Sequence, residues 1–226
     1  ALVGKENLIA TFEGSYSLCH EIMDVWRNPE DQYVKTWENR FIMTEGYTKM
    51  MNQVIAGIMK KYNLQKESIA KVIIPSPDGR SFRAIAQKNG FDPKTQVQDP
   101  LMTSVGFCGA AQPLLLLAAA LEEAKPGDLI LVTSYADGAD AVLFKATDKV
   151  SSAAKRDSVK AMLADKLMIT SYSRFLSYKG ILEANPGEPF RLFPSASVTW
   201  REKNAILCLH GSRCKNCGHV IYPVQR

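Results

Sequence analysis

The feature that most constrains this chain is the run Ala110–Ala124, Ala-Ala-Gln-Pro-Leu-Leu-Leu-Leu-Ala-Ala-Ala-Leu-Glu-Glu-Ala, which is apolar around its whole circumference until the last turn. A helix with no polar face is expected to be buried on every side. Pro113 is tolerated only in the first turn, where its missing N–H would have had no partner. Gly106, Gly109, Ala110 and Ala111 are small enough to let a ligand or another backbone approach the helix start, which offers unpaired N–H groups and partial positive charge. Its longest apolar stretch, Pro113–Leu121, falls short of the ~20 residues that cross a bilayer, so no membrane partner is expected.

The rest of the chain supplies what would bury such a helix. Val72-Ile-Ile74 is an apolar strand broken by Pro75-Ser-Pro-Asp-Gly79, and Ser81–Lys88 is a helix stopped at Asn89-Gly90. Gly46–Tyr62 carries Tyr47, Met50, Met51, Val54, Ile55, Ile58 and Met59 at helical spacing; packing on a sheet explains these methionines without a cofactor. Leu129–Ser134 and Ala141–Lys145 read as strands joined by a loop at Tyr135–Asp140, with Asp137 and Asp140 as turn formers. Residues 1–18 read as two strands around a turn at Lys5-Glu6-Asn7, so the chain starts inside a sheet and further sequence is expected upstream. Aromatic-rich loop follows through Trp26-Arg27 and Trp37–Phe41. The order is that of an α/β layered core.

Composition shifts after that core. Three segments are expected: 1–146 as the core, 147–203 as a linker and helical lead-in, and 204–226 as the start of a cysteine-bearing module. Thr147–Asp157 is polar, Ser158–Lys179 reads as one helix, and Pro186, Pro189 and Pro194 make an extended arm. Asn204–Arg226 reads as strand, knuckle and strand.

The net charge of +5 is mild and its lysines and arginines are scattered. A nucleotide-bearing cofactor is compatible with this, but nucleic acid is not expected, because there is no basic stripe with stacking aromatics. Five cysteines with one CxxC pair suit a reducing compartment, the cytoplasm, better than a disulfide framework. Adjacent on a strand, Cys19 and His20 would point to opposite faces and so do not form a Cys/His pair.

Val105-Gly-Phe-Cys-Gly-Ala-Ala-Gln-Pro through Ala141 is similar to the C-terminal half of hydroxymethylglutaryl-CoA synthase-like proteins of the thiolase superfamily. Val72–Arg80 resembles their strand-loop, and Asp24–Arg27 with Trp37–Phe41 their insertion. The resemblance implies a thiolase-like layered fold over residues 1–146 and an acyl-CoA substrate. It also implies a second subunit, identical or thiolase-like, and a C-acyltransferase that makes or breaks a carbon–carbon bond through a Cys-bound acyl thioester. The family's nucleophilic Cys lies in the half that precedes these residues, so this chain alone is expected to be inactive. The family His falls at Pro75 and the family Asn at Phe107, neither of which can do the same chemistry. Pro75, Phe107 and Cys108 are therefore candidate pocket walls, and Gly106, Gly109 and Arg80 candidate CoA-facing residues. Cys108 reads as a buried, unreactive thiol. A non-catalytic thiolase-like scaffold subunit is the alternative.

The segment His210–Arg226, with Cys214-Lys-Asn-Cys217-Gly-His219, resembles the zinc ribbon that precedes an OB-fold in acyl-CoA-associated proteins. Cys214 and Cys217 would be two ligands of a structural zinc, with the family's second cysteine pair falling just after Arg226. Cys208 and His219 are substitutes within the chain, although Cys208 is expected in a strand.

Overall fold

The computed structural model describes residues 3–152, 158–183 and 195–222, divided into two compact units, Ala1–Leu167 and Met168–Arg226. The first unit is built on a four-stranded sheet of order β1-β6-β5-β4. Its strands are β1 (Ala10–Cys19), β4 (Ile69–Ile73), β5 (Leu129–Ala136) and β6 (Gly138–Ala146). β4 and β5 run parallel, while β6 is antiparallel to both β5 and β1. Between β1 and β4 lie a small hairpin, β2 (Val25–Trp26) with β3 (Lys35–Thr36), and a helical segment. That segment runs from α1 (Asn39–Phe41) through a π-helical stretch, Ile42–Thr48, into α2 (Lys49–Lys61).

The two faces of the sheet take the two periodic helices. α2 buries Met50, Met51, Val54, Ile55 and Ile58 against Val72, Leu131, Ala139, Ala141 and Leu143, with Phe82 and Ile85 of α3 (Ser81–Lys88) closing the same core. On the other face α4 (Gln112–Glu123) sets Leu116, Leu117 and Ala120 on Ile73, Ile130 and Val132. Each fully buried side chain of this size contributes about 1.5–3 kcal/mol. Spacing in the sequence is enough to anticipate α2, α3, α4 and strands β4, β5 and β6, though not how the strands pair.

Several expectations are corrected. α4 is not buried all round, since Leu114 is 54 % exposed and Ala118 is also exposed. Among the described residues the sheet covers one face of α4 and α5 packs beside it, while Leu114 and Ala118 stay open. Residues 3–9 form no strand. The alternation that suggests a local hairpin belongs to β1, which pairs residue by residue with β6 more than a hundred positions away. Residues 8 and 9 continue beside β6: the Thr147 N–H donates to the Ile9 carbonyl at 3.0 Å and its hydroxyl to the Leu8 carbonyl.

Tyr135–Asp140 is not a loop. β5 runs to Ala136, β6 starts at Gly138, and Asp140 is a strand residue opposite Ser134 and Ser17. The tip closes this tightly because residue 138 is glycine: φ is +120° and a Cβ would collide with the Leu18 carbonyl oxygen.

The helical reading of 158–179 is broken into α5 (Val159–Ala164) and α6 (Tyr172–Tyr178). Ser158 and Ser171 explain the break, because each accepts a hydrogen bond from an N–H three residues on and so starts a helix of its own. α5 belongs to the first unit and packs on α4. The Glu122 carboxylate of α4 accepts from the Val159 N–H at 2.5 Å and the Lys160 N–H at 3.3 Å. Asp148–Ser152 is a 3-10 turn with Val150 buried; the remainder of the expected linker, 153–157, and the proline arm at Pro186, Pro189 and Pro194 lie outside the described residues.

The second unit contains α6, α7 (Ala196–Cys208), β7 (Ser212–Arg213) and β8 (Val220–Ile221), the last two paired around the knuckle. Asn204–Cys208 is the end of α7 and not a strand: so short an apolar run reads equally as either. Ser195 caps the start of α7, and the His210 N–H closes its end onto the Asn204 carbonyl at 3.0 Å. No helix among the described residues is long and apolar enough to cross a membrane.

Candidate functional site

Topology brings the candidate residues of the first unit to one end of the sheet. β4 delivers Pro75 and Ser76 just past its carboxyl end, and parallel β5 ends nearby in the 136–138 tip. α4 returns antiparallel into β5 through Lys125–Asp128, so its start, with Gly106–Ala111, lies toward that same end. Carboxyl ends of parallel strands are where α/β sheets place ligands. A cleft of about 580 Å³ opens beside the tip, lined by Cys19, Ile22, Met23, Trp26 and Asp137 among others.

The Pro75 loop is held from below. Tyr47, in the π-helical stretch, donates its buried hydroxyl to the Pro75 carbonyl oxygen at 2.7 Å. Its ring stands edge-on to Tyr135 with centroids 5.4 Å apart. Burial pushes the Tyr47 phenol well above its ordinary value; the Ser76 hydroxyl opposes the shift and the Asp78 charge adds to it. Burial and the nearby Asp24 carboxylate raise Tyr135 likewise, and its buried hydroxyl meets no partner at hydrogen-bond geometry among the described residues. π-helical turns are rare and concentrate at functional sites. Here the wider turn sets Gly46 directly against the Tyr135 hydroxyl.

Asp78 is a residue the sequence did not single out. It lies in the strand-breaking loop 75–79 and ties that loop to the first residue of α3. Its carboxylate accepts from the Arg80 N–H at 2.6 Å, the Ser81 N–H at 2.7 Å and the Ser81 hydroxyl at 2.5 Å. Partial burial pushes this carboxyl up, but those hydrogen bonds and the Arg80 charge outweigh it and hold it below the usual carboxylate range. Arg80 is exposed at the start of α3.

The α4 start is open. Gly106 and Gly109 hold φ of +87° and +56°, and a Cβ at either would meet nothing within 4 Å; their backbone is approachable and their conformation favours glycine. Phe107 is 55 % exposed. Cys108 is half-buried, not fully buried as expected, because the positive-φ glycines on either side turn the chain outward. Its thiol lies 3.8 Å from the Gly106 carbonyl. The loop is rigid in itself: the Leu101 carbonyl gathers the N–H groups of Ser104, Val105 and Gly106 at 3.2, 2.8 and 3.2 Å. His20 stands at the hairpin tip, where its backbone N–H donates to the Asp137 carbonyl, and His210 and His219 belong to the second unit.

Residues 59–145 match the family described as 3-oxoacyl-[acyl-carrier-protein] synthase III, C terminal. Two solved structures share the fold. One, a hydroxymethylglutaryl-CoA synthase complexed with CoA, has a TM-score of 0.56 at 15 % identity, covering 82 % of this chain and 52 % of that one. The other, MvaS in complex with 3-hydroxy-3-methylglutaryl coenzyme A, has a TM-score of 0.56 at 14 % identity, covering 83 % and 54 %. The core has a thiolase-like fold. Among similar sequences, the hydroxymethylglutaryl-CoA synthase of Methanopyrus kandleri is 30 % identical over 181 residues, 79 % of this chain and 51 % of that protein. The one from Pyrobaculum neutrophilum is 29 % identical, over 80 % of this chain and 52 % of that protein. The chain thus spans about half the length of the curated relatives it matches. The side chains of Pro75 and Phe107 offer neither a proton nor an amide donor.

In the second unit the knuckle is closed by backbone hydrogen bonds. The Cys214 N–H donates to the His219 carbonyl at 2.8 Å and the Gly218 N–H to the Cys214 carbonyl at 2.9 Å. The N–H groups of Cys217 and Asn216, with the Cys217 thiol, lower the Cys214 pKa. A thiolate held by backbone N–H groups is what a structural zinc takes. The donor set fits half of a tetrahedral site. Cys208 ends α7, and among the described residues no three His, Cys, Asp or Glu side chains gather around a metal.

Proposed function

We propose that the chain is the CoA-facing half of a thiolase-like C-acyltransferase, similar to hydroxymethylglutaryl-CoA synthase. The carrying observation is the convergence of the Pro75 loop, the α4 start and the Tyr135–Gly138 tip on one end of a thiolase-like sheet. An acyl-CoA enters at that end. The acyl group passes from the CoA sulfur to a cysteine thiolate, releasing CoA, and a carbon–carbon bond is then made or broken at the bound acyl group.

This chain's part is to bind and wall. Gly106 and Gly109 leave backbone open to the thioester arm, Arg80 sits exposed to meet CoA phosphates, and Pro75, Phe107 and Cys108 form the wall. The nucleophile and the proton-transfer group come from outside these residues, since Pro75 and Phe107 stand at the family's His and Asn positions. The uncovered face of α4, with Leu114, calls for an identical or thiolase-like subunit or the other half of the fold. Cys214 and Cys217 supply two thiolates of a structural zinc completed by ligands beyond these residues. Five free cysteines suit the reducing cytoplasm.

The test is acylation. The intact protein incubated with radiolabelled acetyl-CoA retains label after denaturation, and the 226 residues alone retain none. Absence of label in the intact protein points instead to a non-catalytic scaffold.

A further inference from the structure

The cleft of about 580 Å³ beside the hairpin tip combines apolar walls with charge of one sign. Ile22, Met23, Val25 and Trp26 supply the walls, and Glu21 and Asp137 stand exposed at the rim. No lysine, arginine or histidine is among the described residues that line it. Neither Glu21 nor Asp137 makes an ion pair among the described residues. Asp24 adds a third carboxylate, since its charge and that of Asp137 both act on the Tyr135 hydroxyl.

Both sides of the cleft are held without a ligand. At the tip the His20 N–H donates to the Asp137 carbonyl at 3.3 Å, so the backbone there does not depend on the Asp137 side chain. Across from it the Thr36 hydroxyl donates to the Asp24 carbonyl at 2.8 Å, and Trp26 packs against Trp37 with ring centroids 5.4 Å apart. The volume is that of a small-molecule group. Carboxylates fixed at the rim repel a second negative charge, and apolar walls give an anion no donor. The phosphates of CoA are turned away from this cleft, while Arg80 stands exposed at the start of α3.

We propose that this cleft takes the acyl end of the thioester, and that Glu21 and Asp137 restrict it to acyl chains carrying no carboxylate of their own. The inference rests on the acyl-CoA reading of the site and narrows it to uncharged acyl groups. Glu21 and Asp137 determine specificity by repulsion; neither takes part in bond making.

Butyryl-CoA and succinyl-CoA have acyl chains of equal carbon number and differ in a terminal carboxylate, so the contribution of the CoA moiety cancels between them. Calorimetric titration of the intact protein gives butyryl-CoA about tenfold the affinity of succinyl-CoA, the effect of two like charges a few ångströms off at an open surface. The ratio shrinks as salt is raised, because exposed charges are screened. The double variant Glu21→Gln with Asp137→Asn removes most of the difference by restoring succinyl-CoA binding, and an unchanged melting curve confirms its fold. Equal affinities in the wild type, a difference that salt and the double variant both leave unchanged, or no binding of either thioester overturns the proposal. A protein that ranks the two thioesters in this order but retains no label from acetyl-CoA keeps the specificity and loses the transfer step. One that retains label but binds both alike keeps the transfer step and loses the specificity.

Discussion

The Tyr47 hydroxyl, buried beneath the β4 loop, reaches the Pro75 carbonyl oxygen at 2.7 Å and so ties the π-helical stretch to the loop after β4. Tyr47→Phe leaves that carbonyl unpaired in the interior. The cost is about 1–3 kcal/mol, read as a lower urea midpoint with unchanged slope.

The same phenol governs stability in alkali. Its folded pKa is raised above its unfolded value of roughly 10, so the stability it contributes is fully present below about pH 10. It is lost as pH rises from there through the folded pKa, because the unfolded chain releases the proton first. The unfolding free energy falls above about pH 10, and Tyr47→Phe shows a shallower fall over that range.

Asp78 behaves in the opposite sense. Its folded pKa is depressed, so its contribution is present above about pH 4 and fades as pH falls through the folded pKa. Asp78→Ala costs about 1.5–3 kcal/mol at neutral pH, the range for hydrogen bonds to a charged group, and the gap from wild type narrows in denaturant titrations run under increasingly acidic conditions.

Glu122 holds α5 on α4 through the Val159 and Lys160 N–H groups. Glu122→Ala frees those donors, and hydrogen exchange across 159–164 rises well above wild type while exchange in α2 is unchanged. Equal exchange in both proteins would mean the apolar contacts suffice.

Cys214→Ser and Cys217→Ser each remove one thiolate from the knuckle. Metal analysis of the intact protein finds one zinc fewer per chain in either variant than in wild type, whereas Cys208→Ser keeps its metal because that residue ends α7.

Sequence periodicity reveals what local pattern controls. The 3.6-residue spacing of Met50, Met51, Val54, Ile55 and Ile58 gives α2, and the glycine-bounded apolar run gives α4. Partners distant in sequence are harder to see. β1 pairs with β6 across the whole first unit, so its first residues resemble a local hairpin, and Ala205–Cys208 is too short to distinguish strand from helix. The candidate site divides along the same line. Pro75, Gly106, Phe107 and Cys108 stand out through resemblance. Tyr47 and Asp78 act through contacts only folding makes, since a tyrosine at a helical core spacing and an Asp-Gly pair look like packing and a turn.

The most direct test is peptide mapping of the intact protein after acyl-CoA treatment. A thioester adduct on a cysteine outside these 226 residues is the expected result, with Cys19, Cys108, Cys208, Cys214 and Cys217 unmodified. An adduct on Cys108, or the same adduct formed by these residues alone, would contradict the assignment of this half as the wall of the site and not its catalyst.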